Sequence, residues 1–98
     1  MYGPDGKNVI KITWDEFKRY QRWDEFPEYE NNPPMTDDFM FWYNGKKYFC
    51  TGEEYGNVIV DEKWNRLAYN ENFLDLLLTP IFDGKSFKDV IEDILMCQ

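Results

Sequence analysis

The dipeptide Asn44-Gly45 constrains this chain more than any other feature. Both residues tolerate the positive φ angles of a two-residue hairpin turn, and runs of strand-forming residues flank them: Phe39-Met40-Phe41-Trp42-Tyr43 before and Lys46-Lys47-Tyr48-Phe49-Cys50 after. Such a turn fixes the register. Phe41 is set opposite Tyr48 and Phe39 opposite Cys50 on one face, with Met40 opposite Phe49 and Trp42 opposite Lys47 on the other. Both faces are apolar, which predicts a central hairpin covered on two sides.

The remaining elements are arranged around it. Asn8 to Ile12 reads as a short strand, and Thr13-Trp14-Asp15-Glu16 has the spacing of a capping box, so a helix is predicted from Trp14 to about Arg22. Its aromatics Trp14, Phe17, Tyr20 and Trp23 step by three, which rotates Trp23 away from the buried face. Trp23-Asp24-Glu25-Phe26 repeats Trp14-Asp15-Glu16-Phe17, but at a spacing that reverses the helix face, so the echo is not a solenoid repeat. Gly52 to Gly56 reads as a turn, Asn57 to Val60 as a third strand and Trp64 to Tyr69 as a fourth. Phe73 to Leu78, apolar all round, reads as a buried helix ended by Pro80. Ser86 and Asp89 form a second capping pair, leading a helix whose Phe87, Val90, Ile91, Ile94 and Leu95 span a stripe about 140° wide, with Cys97 packed at its edge. The expected fold is therefore one α+β domain over 1–98, with a three- to four-stranded, mostly antiparallel sheet built on the central hairpin and packed by two or three short helices.

Charge restricts the partners. Eleven Lys and Arg against nineteen Asp and Glu leave a net charge of −8, which repels phosphate backbones and anionic lipid. Direct nucleic-acid or membrane binding is not expected, and the longest apolar run falls far short of a bilayer span. The stretch 24–38 concentrates the charge: Asp24, Glu25, Glu28, Glu30, Asp37 and Asp38 lie there with no Lys or Arg, among Pro27, Pro33 and Pro34. It reads as an acidic, proline-containing loop or arm. Two cysteines, and an amino terminus without the charged and apolar regions of a secretion signal, point to a reducing, cytoplasmic setting.

Catalytic chemistry finds little footing. There is no histidine to activate a serine or cysteine nucleophile, and Ser86, the only serine, is committed to capping. Gly84-Lys85-Ser86 imitates the end of a phosphate-binding loop, but Thr79 stands where the first glycine is required, and Asp83 and Asp89 would repel phosphate. The carboxylate pairs Asp37-Asp38, Glu53-Glu54 and Asp61-Glu62 lack calcium-loop spacing and read as solvated surface. No catalytic residue, cofactor or metal is expected.

Recognition is what remains. Aromatic residues make up 19% of the chain, more than a small core readily hides, and Trp and Tyr are favoured interface anchors. Trp23, Asp24, Glu25, Phe26, Glu28, Tyr29, Glu30, Asp37 and Asp38 together suit a surface that anchors aromatics in a basic protein while its charges speed encounter. The leading expectation is a small, acidic, non-catalytic protein-binding module, in the manner of immunity proteins and inhibitors. The alternative is a decoy whose carboxylates imitate a phosphate backbone and block a nucleic-acid enzyme, and a carboxylate-metal enzyme ranks below both. A homo-oligomer stays open, and so does a plain domain whose acids and aromatics serve only solubility and folding.

The hairpin Phe41-Trp42-Tyr43-Asn44-Gly45-Lys46-Lys47-Tyr48 and the helix start Asp83-Gly84-Lys85-Ser86-Phe87 resemble those of small uncharacterised bacterial α+β proteins. In these a helix precedes an aromatic hairpin with a Tyr-x-Gly-Lys turn, and a Gly-Lys-Ser-led helix closes the chain. The resemblance covers about half of the sequence and implies a fold rather than a function. The acidic stretch 24–38 has no counterpart in it.

Overall fold

In the computed structural model, which describes residues 1–98, the hairpin forms in the expected register: β2 (Phe39–Tyr43) pairs with β3 (Lys46–Glu53), Phe41 opposite Tyr48 and Met40 opposite Phe49. Asn44 and Gly45 take φ of 54° and 78°, the left-handed pair that this turn demands. From β3 the chain turns at Glu54-Tyr55 into β4 (Gly56–Asp61) and then into β5 (Arg66–Asn70). The β4–β5 register shifts between Ile59 and Val60, where Leu67 is the extra residue of a bulge.

The sheet is larger than the three or four strands expected. It has six, in the order β1-β6-β2-β3-β4-β5, with β1 at Val9–Ile10 and β6 at Leu95–Cys97. Of the two strands beyond four, β1 is the short segment read at Asn8 to Ile12, which joins the sheet at its edge, and β6 comes from the terminal helix, which was expected to run on through Ile94 and Leu95. Helix α3 covers only Phe87–Val90, Ile91–Asp93 tightens into a 3-10 turn, and Ile94 adopts an extended ψ of 144°. The chain then enters the sheet between β1 and β2, with Met96 opposite Phe41 on one side and Ile10 on the other. The physical reason is the open edge of β2: without β6 its row of backbone N–H and C=O groups would lack partners, a need that outweighs weak local helix preference.

The two faces of the sheet are treated differently, which corrects the expectation of cover on both sides. Phe39, Phe41, Cys50, Ile59 and Met96 point to one face and are sealed by Phe17 from α1 (Trp14–Tyr20), by Phe73, Leu76 and Leu77 from α2 (Phe73–Leu77), and by Phe87, Val90 and Ile94. Phe17 sits at the centre, fully buried, with ring centroids of Trp14, Trp23, Phe39, Phe73 and Phe87 all within 6.4 Å. No helix covers the other face. Val58 and Val60 are buried there beside Tyr69 and Arg66, the latter paired with Glu53. Trp42 is shielded by the loop before β1, where a Cβ on Gly3 would lie 3.1 Å from the indole nitrogen. Asp5 of the same loop reaches Lys47 at 3.6 Å, and Lys47 lies over the Trp42 ring. No helix is long and apolar enough to cross a membrane.

Candidate functional site

The acidic stretch 24–38 is a strap fastened to the domain along its length. Helix α1 begins with the expected capping box, Thr13 with Glu16, and ends two residues earlier than predicted, because Arg22 takes the left-handed φ of 56°. That reversal returns Trp23 to the helix side. Trp23 therefore does not leave the buried face as the helical spacing implied: its ring packs edge-on against Trp14, Phe17 and Phe73, and its Nε1 donates to the Pro34 carbonyl at 2.9 Å. Short 3-10 turns at Trp23–Glu25 and Pro27–Tyr29 carry the chain outward, and buried Pro33 and half-buried Met35 bring it back.

The second fastening is Gln21, fully buried at the C-cap of α1. Its Nε2 donates to the Asp37 carbonyl at 3.1 Å, and its Oε1 accepts from the Thr36 and Asp37 backbone N–H groups at 2.8 and 3.3 Å. The Thr36 hydroxyl donates to the Gln21 carbonyl at 2.8 Å. A buried amide of this kind substitutes for a strand partner, which is why a segment without secondary-structure pairing holds a defined path. The one sequence signal for Gln21 is its place four residues beyond Phe17, on the same helix face.

Between the first half of the strap and the helices lies a groove of about 660 Å³. Trp14, Trp23, Phe26 and Tyr29 line it with Pro27, Pro33 and Leu74, and its rim carries Asp15, Asp24 and Glu30 alongside Lys18, Arg19 and Lys88. Five of the nine predicted site residues thus meet here: Trp23, Asp24, Phe26, Tyr29 and Glu30. Tyr29 is 52% exposed, an anchor presented rather than packed. The other four are not groove residues. Glu25 turns to Arg22 at 3.9 Å, Glu28 is exposed on the second 3-10 turn, and Asp37 follows the Gln21 clasp. Asp38 accepts a hydrogen bond from the Thr51 hydroxyl at 2.7 Å and borders a separate hollow over β2 and β3.

The electrostatics are mixed at the groove and acidic around it. Lys18 is tied to Asp15 at 3.2 Å and Lys88 sits over the Trp14 ring at 5.2 Å, so two of the three rim cations are already engaged. Asp24, Glu28, Glu30 and Asp37 take part in no ion pair; of the nineteen carboxylates of the chain, only Asp5, Asp15, Glu25 and Glu53 do. The helical contributors Trp14, Lys18, Leu74 and Lys88 could not be assigned from sequence, since only long-range packing brings α1, α2 and α3 to one place.

Elsewhere the chemistry is spare. No three carboxylate or thiol groups converge closely enough to hold a metal ion. Ser86 accepts from the Asp89 N–H while the Asp89 carboxylate accepts from the Ser86 N–H, a bond that holds the Asp89 carboxyl below its ordinary range. The segment preceding it thus ends in a helix cap. The thiol of Cys50 is fully buried and pushed far up by that burial, while half-buried Cys97, on β6 and not on a helix, is raised for the same reason. The only buried side-chain polar atom without a partner is Trp42 Nε1.

Comparison of the chain with protein families, curated proteins and solved structures yields no match.

Proposed function

We propose that this protein is a small, non-catalytic, acidic binding module that takes a basic protein segment into the groove between the strap and α1. The observation that carries the reading is the strap itself. A segment with six carboxylates and no cation is held by Gln21 and by the Trp23–Pro34 hydrogen bond so that exposed Tyr29 and unpaired Asp24 and Glu30 edge an aromatic groove. A fixed aromatic surface loses little entropy on binding, which is the economy that interface anchors exploit. The surrounding negative field would speed the approach of a basic partner.

Role by role, Trp14, Trp23 and Phe26 form an apolar floor, Tyr29 is the anchor, and Asp24 and Glu30 receive Lys or Arg side chains of the partner. The decoy alternative draws less support. Its carboxylates would have to follow one continuous track, whereas those of the strap divide between the groove and the Thr51 side of the sheet.

A direct test titrates Lys- and Arg-rich peptides, with and without a Leu or Phe anchor, while the indole N–H signals of Trp14 and Trp23 are followed by NMR. Binding should move both signals, weaken as salt rises, and fall on Tyr29→Ala. Neutralising Asp24 and Glu30 to Asn and Gln should slow association and flatten its salt dependence. Peptides that leave Trp14 and Trp23 unmoved while shifting other residues would place recognition elsewhere.

A further inference from the structure

The helix-free face of the sheet presents a second feature, independent of the groove. Trp64 is 68% exposed, the most exposed of the four tryptophans, yet its position is fixed. It takes the left-handed φ of 65°, a strained conformation for a bulky side chain. The Asp61 carboxylate enforces it by accepting from the Lys63 and Asn65 backbone N–H groups, both at 2.9 Å, and from Asn65 Nδ2 at 3.1 Å. The indole is laid flat on Phe49, with ring centroids 5.2 Å apart and planes 9° from parallel. Beside it lies a hollow of about 380 Å³ lined by Met40, Phe49, Thr51, Cys97 and Asp38, with Trp64 itself as one wall and Tyr20, the last residue of α1, at its border. Met40 is 39% exposed in the middle of this sheet face.

An exposed aromatic ring beside a hollow gives one surface patch both of the parts a two-fold interface needs, since such a patch must complement itself. The charges agree. The sheet-face cations Lys47 and Arg66 are already paired with Asp5 and Glu53, so this is a face where two chains of net charge −8 can meet without opposing unpaired like charges across its centre. Lys63, next to Trp64, makes no ion pair, and Asp38 stands at the edge of the hollow. We infer that this face is occupied by a second copy of the chain, with Trp64 of each copy seated in the Met40 hollow of the other and Lys63 meeting Asp38 twice across the axis. The groove at the strap stays open in such a dimer.

The test is sedimentation of the whole chain from micromolar to millimolar concentration, at low and high salt. A monomer–dimer equilibrium is expected that strengthens with salt, because screening relieves the repulsion between two acidic bodies. Trp64→Ser should raise the dimer Kd about thirtyfold or more, the equivalent of a hot spot worth about 2 kcal/mol. Trp64 is exposed, so unchanged circular dichroism would show the variant folded, and Met40→Lys gives a second route to the same loss from the hollow. Asp38→Lys and Lys63→Glu should each weaken the dimer, and the double variant, which keeps the wild-type net charge, should restore it. A chain monomeric at every concentration overturns the inference, as does a dimer indifferent to Trp64→Ser or one that weakens as salt rises. Peptide binding at the groove should be unaffected by Trp64→Ser, so failure of either assignment is visible without the other.

Discussion

Replacing Gln21 by Leu tests the claim that one buried amide fastens the strap. Leu nearly conserves volume, so little of the effect comes from a cavity. It removes the acceptor of the Thr36 and Asp37 N–H groups and the donor to the Asp37 carbonyl, three backbone groups in all. If the strap lifts and water replaces the amide, each lost hydrogen bond costs about 1 kcal/mol, and the total is about 3 kcal/mol. Were the strap to stay in place, the unsatisfied groups would cost up to about 3 kcal/mol each, so lifting is the cheaper response. About 3 kcal/mol is a large share of the roughly 5–15 kcal/mol available to a domain of this size. Urea unfolding measures the loss, and native-state hydrogen exchange locates it: the Thr36 and Asp37 amides should lose protection while the amides of β2 and β3 keep theirs. A loss under about 0.5 kcal/mol with Thr36 and Asp37 still protected would refute the reasoning, since that is the range of an ordinary surface substitution. The same variant should lose peptide binding at the groove, whose wall the strap forms.

Other consequences of the structure can be checked separately. Phe17→Ala empties the meeting point of five aromatic rings and should cost about 3–5 kcal/mol in chemical denaturation, close to abolishing the fold. A thiol reagent should modify Cys97 well before Cys50, with Cys50 reacting only as fast as the domain opens, and mass spectrometry of peptides after partial labelling decides the order. The Asp61 carboxyl is depressed below 3.8, first by the hydrogen bond from the Asn65 backbone N–H, so its hold on the Trp64 loop is complete above that value and is lost as pH falls through the lower folded value. Trp64 emission should therefore change in acid below the ordinary carboxylate range, and Asp61→Ala should give the acid-like emission at neutral pH; an emission unaltered by that substitution would show that Asp61 does not hold the loop.

Whatever depended on neighbours along the chain could be read from the sequence. Asn44-Gly45 specified the hairpin and its register because the turn geometry dictates which residues face each other. Thr13 with Glu16 and Ser86 with Asp89 marked two helix starts because a cap is completed within one turn. Tertiary structure decided the rest. Residues Leu95–Cys97 carry a helical stripe, yet β2 and β1 each offered an unpaired edge, and backbone hydrogen bonding across the sheet outweighed the local pattern. Helical spacing turns Trp23 away from the buried face, and left-handed Arg22 breaks the helical count on which that expectation stands. The candidate site divides in the same way. Trp23, Asp24, Phe26, Tyr29 and Glu30 stood together in sequence and meet at the groove, whereas Trp14, Leu74 and Lys88 reach it only because three helices pack around Phe17. Local chemistry acts over one turn of chain, while a groove is made by elements distant in sequence, and only the burial of a shared core brings those together.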